Sequence, residues 1–381
     1  MLLINRKFTL VSPTMKNLIL ALAIFLMQTV LSAQNLNVTE AKVFAPPQRL
    51  EIKMPHLDGY QIIKADFHMH TVFSDGTVWP TVRVREAWRD GLDAIAISDH
   101  VELRPKREYI SHSLNMVHEI ALPEAERLGI ILIKAAEITR RMPPGHLNAL
   151  FLTNIDELET DSWQQALETA QKQGAFIFWN HPGWRAQQPD TCRWFDEHEQ
   201  LYRQGLIHGI EVYNFNEWYP VALDWCRDKN LAFIANTDIH EPMPYFPAVS
   251  QYLRPMTLVI AREKTSQAIK EAMFNRQTVA FFAGMLAGPQ FWLEKIFFES
   301  IKISKPFNVR RNGSASVNIT NLTDIPINLL DGQGRKFILE AQTSLVIPIN
   351  NPKRLKELPF TVTNFLTGTH ENLKVNLPII F

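Results

Sequence analysis

Asp66-Phe67-His68-Met69-His70-Thr71-Val72-Phe73-Ser74-Asp75-Gly76 closes a strand candidate that begins at Ile62. Side chains on a strand alternate between its two faces, so His68 and His70 are predicted to share one face at the strand's end. Asp75 lies in the loop just beyond. Two imidazoles and a carboxylate at that place can hold one cation. The same pattern taken alone is also that of two surface histidines at a strand end, and only the rest of the chain separates the two.

Further along, the same form recurs. Ala94-Ile95-Ala96-Ile97-Ser98-Asp99-His100 is an apolar run ending in Asp-His, with Asp99 read as a group that orients an imidazole and His100 as a ligand. Ile131–Ala136 ends in Glu137, and Gly145-His146 opens the next run. Phe176–Trp179 leads into Asn180-His181-Pro182, and Phe233–Thr237 into Asp238-Ile239-His240. Helical periods separate these runs at Thr81–Asp90, Ser111–Leu128, Ser162–Gln173, Trp218–Asp228 and Ser266–Asn275. Strand and helix alternating at this spacing predict an α/β fold with parallel strands joined by right-handed crossovers. Seven or eight such units close into a barrel whose site lies at the C-terminal strand ends. Nine histidine and acidic side chains would then meet there: His68, His70, Asp75, His100, Glu137, His146, His181, Asp238 and His240. With only Cys192 and Cys226 in 381 residues, a thiolate site is excluded. Imidazole and carboxylate suit zinc, manganese or iron, and nine ligands exceed what one ion uses, so two to three divalent ions are expected.

The order HxH…SDG, SDH, Glu, GH, NHP and DxH resembles the PHP family, named for polymerase and histidinol phosphatase domains. The likeness spans roughly residues 60–285. The wording FHMHTVFSDGTVWPTVRVREAWRDGLDAIAISDHVE and EITRRMPPGH looks most like exported members that hydrolyse organophosphate diesters. The resemblance implies a distorted, TIM-like barrel of seven βα units carrying a trinuclear metal centre. It places His68, His70, Glu137 and Asp238 around one ion, with Glu137 bridging to a second held by His146 and His181. Asp75, His100 and His240 would hold the third; some family members carry His where Asp75 stands. The activity implied is attack of a metal-bridging hydroxide on phosphorus, with Glu137, Asp238, His240 and Arg140 as the catalytic set. Arg140 and Arg185 follow predicted strand ends and are candidates for phosphoryl oxygens. Trp79, Trp184 and Trp218 fall in similar loops and are candidates for an apolar substrate wall. His56, His112, His118, His198, His208 and His370 have no such placement and are read as surface or packing residues.

Outside the barrel, Lys16 precedes the apolar run Leu18–Met27, and Ser32-Ala33 follows, the pattern of a secretory signal peptide at residues 1–33. This predicts export to the periplasm or beyond, with no membrane span after cleavage. The chain has 39 basic and 39 acidic residues; loss of Arg6, Lys7 and Lys16 leaves 36 against 39, a charge of −3. Such a balance disfavours nucleic acid as a partner. Residues 34–60 read as a lead-in, 61–290 as the barrel, and 291–381 as a small β-sandwich-like domain. In that last part Ala315, Val317 and Ile319 alternate with polar residues, and Asp331-Gly332-Gln333-Gly334 reads as a hairpin turn. The expected substrate is a small phosphodiester. A phosphomonoester, a carbamate or carboxylic ester on the same metals, and a non-enzymatic binding scaffold are the alternatives.

Overall fold

The computed structural model describes residues 48–110, 112–244, 253–350 and 355–379, and Asn17. The leader and most of the lead-in, and with them the signal-peptide reading, lie outside these. Among the described residues no helix is long and apolar enough to cross a membrane.

The barrel comprises β1 (Gln61–Asp66), β2 (Ala94–Ile97), β3 (Ile131–Ile138), β4 (Leu147–Leu150), β5 (Phe176–Trp179), β6 (Gly209–Asn214), a short β7 (Glu217–Trp218), β8 (Ala232–Asn236) and β9 (Met256–Ala261). Its helices are α1 (Pro80–Arg89), α2 (Asn115–Leu128), α3 (Trp163–Lys172), α4 (Asp196–Arg203), α5 (Pro220–Asp228) and α6 (Ser266–Phe274). β1, β2 and β3 pair in parallel, as do β5, β6 and β8. The expectation of parallel pairing throughout fails at β4, which runs antiparallel to both β3 and β5. The link from Ile138 to Leu147 holds no helix, so the chain turns back beside β3 instead of crossing over. A ligand on β4 must therefore precede the strand, and His146 does. β9 is also antiparallel to β1.

Between β8 and β9, side chains close the circle. Thr257 Oγ1 accepts from the Ala235 N–H at 3.0 Å and donates to the Ala235 carbonyl at 2.9 Å, and Thr278 Oγ1 accepts from Phe233 N–H. The interior is small and apolar: Ile63, Ala65, Phe67, Ala94, Ala96, Phe176, Phe178 and Ile234 fill it, with Ile269 and Met273 of α6 in the same cluster. Above this layer sits a polar one, in which Asn148 bonds Ser98 and Asn180, and Asn236 bonds Glu211. The site is built on top of it.

β10 (Thr278–Phe282) and β11 (Met285–Ala287) carry the sheet onward from β9. α7 (Gln290–Ser300) follows, at the start of the part read as a small β-sandwich-like domain; it buries Trp292, Leu293, Ile296 and Phe297. The rest is antiparallel apart from one junction. β12 (Ile301–Ile303), β13 (Ser314–Asn321) and β16 (Ser344–Asn350) form a three-stranded sheet. β14 (Ile327–Asp331), β15 (Lys336–Leu339), β17 (Glu357–Gly368) and β18 (Glu371–Pro378) extend the sheet of β10 and β11, with the predicted turn between β14 and β15. β13 alternates buried and half-buried residues along its whole length, the pattern of a strand with one face on a core. The C-terminal part does not hang free: β17 pairs in parallel with β11 at Leu286–Phe365 and Ala287–Leu366. At the far tip of that hairpin Thr369 N–H and Oγ1 bond Asp224 and the Pro220 carbonyl of α5.

Candidate metal centre

β1 proper ends at Asp66, two residues short of His68. Ile63, Ala65 and Phe67 face the barrel interior, so strict alternation would send His68 and His70 outward. They reach the site because the chain leaves the ladder and pairs again, Met69 with Ile239, beyond the end of β8. His70 N–H donates to Ile239 O at 3.0 Å and Asp238 N–H to His68 O at 2.8 Å. Both histidines are fully buried. The expected shared face is present, but tertiary pairing produces it.

All nine residues named from the sequence converge. His68 Nε2 and His70 Nε2 lie 3.1 Å apart, each 3.2 Å from Glu137 Oε2 and 3.2 and 3.0 Å, respectively, from Asp238 Oδ1. Glu137 turns its other oxygen to His146 Nδ1 at 2.8 Å and His181 Nε2 at 3.6 Å. Asp75 Oδ1 lies 3.2 Å from His240 Nε2 and 3.5 Å from His100 Nε2. The ligand atoms overlap into groups within 4.8 Å of one another: His68-His70-Asp238, His68-Glu137-His181, His100-Glu137-His146 and His70-Asp75-His100-His240. Glu137 is therefore shared between neighbouring groups.

These residues fit divalent cations. A tetrahedral ion about 2.0–2.1 Å from nitrogen and oxygen ligands holds them about 3.3 Å apart, the spacing of the first group. Asp238 Oδ1 and Asp75 Oδ1 are buried and accept no hydrogen bond, although imidazole nitrogens stand close by. Buried carboxylate oxygens without hydrogen bonds need another positive partner. Two of the ligands, His181 at φ 28° and Asp238 at φ 50°, also hold left-handed backbone, a strain that persists where function requires the geometry.

Electrostatics point the same way. Burial penalises a charged His68, but Asp238, Glu211 and Glu137 outweigh it and raise its pKa well above the usual histidine value. Burial opposes charge on His100 too, yet Glu137 and Asp75 push it up to about 10. Glu137 is held well below the carboxylate range: burial works against its charge, and His100, His68 and His146 more than compensate. His146 goes the other way, lowered by burial in spite of Glu137, so the pull towards positive charge is concentrated at His68 and His100.

Several supporting groups were not singled out from the sequence. Glu211, on β6, is buried behind His68: its Oε1 accepts from His68 Nδ1 at 2.8 Å. It also accepts from Asn236 Nδ2, Asn214 Nδ2 and the His181 N–H. A carboxylate can only accept, so it keeps the His68 proton on Nδ1 and leaves Nε2 facing the cluster. Its one signal was an acid inside the apolar strand Gly-Ile-Glu-Val-Tyr. Arg83 of α1 is buried and donates to the carbonyls of His70, Ile239, His240 and Glu241 and to Glu86. Asp99 acts on an imidazole at one remove. It accepts from Thr71 N–H and Oγ1 and from Ser74 Oγ, and Ser74 Oγ lies 3.4 Å from His70 Nδ1, so Asp99 shapes the loop after His70 and supports its ring through Ser74. Thr139 Oγ1 takes the place beside His100, 2.6 Å from Nδ1.

A cavity of about 550 Å³ opens over the cluster. Trp184 lines it, with Leu103, Phe215, Ile239, Pro242 and Pro244. The other proposed substrate contacts do not. Arg140 is drawn to Glu102 at 3.0 Å and to the Thr139 carbonyl, away from the cavity wall. Arg185, 3.6 Å from Glu217, and Trp218 line a separate 330 Å³ recess beyond Asn216 and Glu217. Trp79 packs near Phe73, 5.6 Å between ring centres. Of the histidines set aside, His198 stacks on Trp179 and bonds the Pro144 carbonyl, a packing role. Cys192 and Cys226 are both free thiols.

No family model and no curated protein matches the chain. Solved structures do. One, from Bacteroides vulgatus ATCC 8482, is a two-domain protein containing a predicted PHP-like metal-dependent phosphoesterase. It is 42% identical, with a TM-score of 0.81, over 88% of this chain and 100% of its own. A protein from Bifidobacterium adolescentis ATCC 15703, provisionally described as a metal-dependent phosphoesterase, matches at 16% identity and a TM-score of 0.38 over 48% of this chain and 89% of its own. An amidohydrolase from Chromobacterium violaceum matches at 14% identity and 0.36, over 47% and 88%. The first likeness runs the length of the neighbour, through barrel and C-terminal sheets alike. That likeness shows that the chain belongs to the PHP superfamily of metallohydrolases, and the nine converging candidate ligands agree with it.

Proposed function

We propose that the chain is an exported phosphodiesterase that hydrolyses small phosphodiesters at this centre with two to three zinc, manganese or iron ions. The observation that carries the choice of diester is the cavity wall. Among the described residues its lining holds no lysine or arginine, and Glu217 and Glu241 stand on it instead. A phosphomonoester brings two negative charges near neutral pH, and a diester one. Carboxylates beside the phosphoryl group repel the dianion more strongly, and no guanidinium offsets that repulsion. The Bacteroides neighbour, named as a phosphoesterase, supports the coarser activity.

His68, His70, Glu137 and Asp238 would hold one ion, His146 and His181 with Glu137 a second, and Asp75, His100 and His240 a third. Bound divalent ions supply Lewis acidity, lowering the pKa of water and neutralising charge that grows on phosphoryl oxygens. The chain's own part is to fix the donors: Glu211 sets the His68 tautomer, Thr139 orients His100, and Asn180 Nδ2 donates to Glu137 Oε1 at 2.8 Å. The test compares bis-p-nitrophenyl phosphate with p-nitrophenyl phosphate, using protein loaded with Zn²⁺ or Mn²⁺. Faster turnover of the diester is expected. A monoester preference would replace the reading with a phosphatase, and no turnover of either with any metal would refute it. Fewer than two ions per chain after reconstitution would favour a binding scaffold.

A further inference from the structure

The turn joining β6 to β7 is built from the wrong kind of residue for its backbone. Tyr213 pairs with Trp218 and Asn214 with Glu217, which leaves Phe215-Asn216 as a two-residue hairpin. Phe215 sits at φ 52°, where such turns call for glycine or asparagine and a bulky side chain is strained. Core packing does not account for it. The Phe215 side chain is 56% exposed, and no aromatic ring among the described residues meets its ring. It lines the cavity over the ligand cluster. Trp184, 40% exposed, lines the same cavity with its ring 5.3 Å from His181 and 5.7 Å from His146. Leu103, 47% exposed, adds a third apolar surface. Large apolar groups left in water around a site of charged ligands mark a place for an apolar part of the ligand.

We infer that Phe215, Trp184 and Leu103 form a seat for one ester substituent of the substrate, and that this substituent is an aryl or similarly flat apolar alcohol. The inference rests on the phosphoester reading for the position of phosphorus. Rings at the mouth gain from offset or edge contact with a flat partner, which a methyl or ethyl group cannot return. Phe215 is then a specificity residue whose strained turn is kept for what its ring touches.

The experiment measures calorimetric binding of phenylphosphonate and methylphosphonate to metal-loaded wild type, Phe215→Gly and Phe215→Tyr. The two ligands share a phosphonate and differ in the group offered to the seat. Wild type and Phe215→Tyr are expected to prefer the phenyl compound by about tenfold or more, and Phe215→Gly to lose most of that preference. Because glycine adopts the turn freely, Phe215→Gly should melt no lower than wild type. An equal phenyl preference in Phe215→Gly, none in wild type, or a lowered Tm in the glycine variant would overturn the seat. Turnover is scored separately. A phenyl preference without diester hydrolysis would refute only the proposed activity, and hydrolysis without the preference would refute only the seat.

Discussion

Replacing Glu211 with glutamine changes one oxygen for an amide nitrogen and leaves the volume intact. Two of the four donors to Glu211 converge on each oxygen: His68 Nδ1 and Asn236 Nδ2 on Oε1, the His181 N–H and Asn214 Nδ2 on Oε2. A glutamine must turn its NH₂ towards one of these pairs. The His181 backbone N–H cannot become an acceptor, whereas an imidazole can change tautomer and Asn236 can turn its amide at the expense of the bond its Oδ1 accepts from the Phe67 N–H. The amide nitrogen is therefore expected to face His68, which then accepts at Nδ1 and carries its proton on Nε2. That proton occupies the lone pair aimed at Glu137 and Asp238. Losing the carboxylate behind a ligating histidine costs about 10- to 100-fold in metal affinity, roughly 1.4–2.7 kcal/mol. The tautomer switch places Glu211→Gln near the upper end. Chelator competition gives the affinity, and nitrogen chemical shifts of His68 give the tautomer. An affinity within twofold of wild type, in a variant with unchanged melting behaviour, would show that Glu211 does not govern His68.

Three further outcomes are expected. Arg83→Met leaves Glu86 and four carbonyls without their buried donor; breaking such a pair costs about 3–5 kcal/mol, a fall in Tm of about 5 °C for a chain this size, and a shift under about 1 °C in thermal melts would contradict it. Thr257→Val strands the Ala235 N–H and carbonyl at the barrel seam and should cost about 3 kcal/mol in urea unfolding, whereas Thr257→Ser should retain most of it. The third concerns pH. With His100 raised to about 10 from 6.5, its favourable charge is fully present below pH 6.5 and lost as pH rises through 10. Metal-free protein should lose stability across that alkaline window, and metal-loaded protein, whose ligand has given up the proton, should not; a flat profile for the metal-free form would refute the assignment.

The sequence made most of the candidate ligands legible because they stand at the end of an apolar run, where a polar residue of ligating type is conspicuous; His146 opens such a run and Asp75 lies in the loop after one. Most barrel strands and helices were legible for the same reason of period, to within a few residues at their ends. What failed depended on partners distant in sequence. No local pattern says that β4 reverses or that the chain after Asp66 re-pairs with Ile239. Arg140 looked available because the rim position was visible, but the Glu102 that draws it away lies on another loop. Glu211 is one acid inside an apolar strand and Arg83 one of several charged residues on α1, and their meaning lies in the four or five groups that surround each. α7 has a helical period in Trp292, Leu293, Ile296 and Phe297, which lies against the alternating strand pattern of the residues after it.

The pairing of β17 with β11 bears on portability. A polypeptide cut after residue 290 would still hold every proposed ligand, so it looks like a minimal enzyme on paper. Its last strand, however, would expose the backbone of Leu286 and Ala287 as an open edge, and α5 would lose the Thr369 clasp at its start. Open edges recruit strands from other molecules. Such a fragment is expected to self-associate, and swapping C-terminal parts between relatives would carry the same penalty unless the edge were rebuilt. For expression, grafting or domain exchange, the indivisible piece is the barrel together with the sheet that continues it.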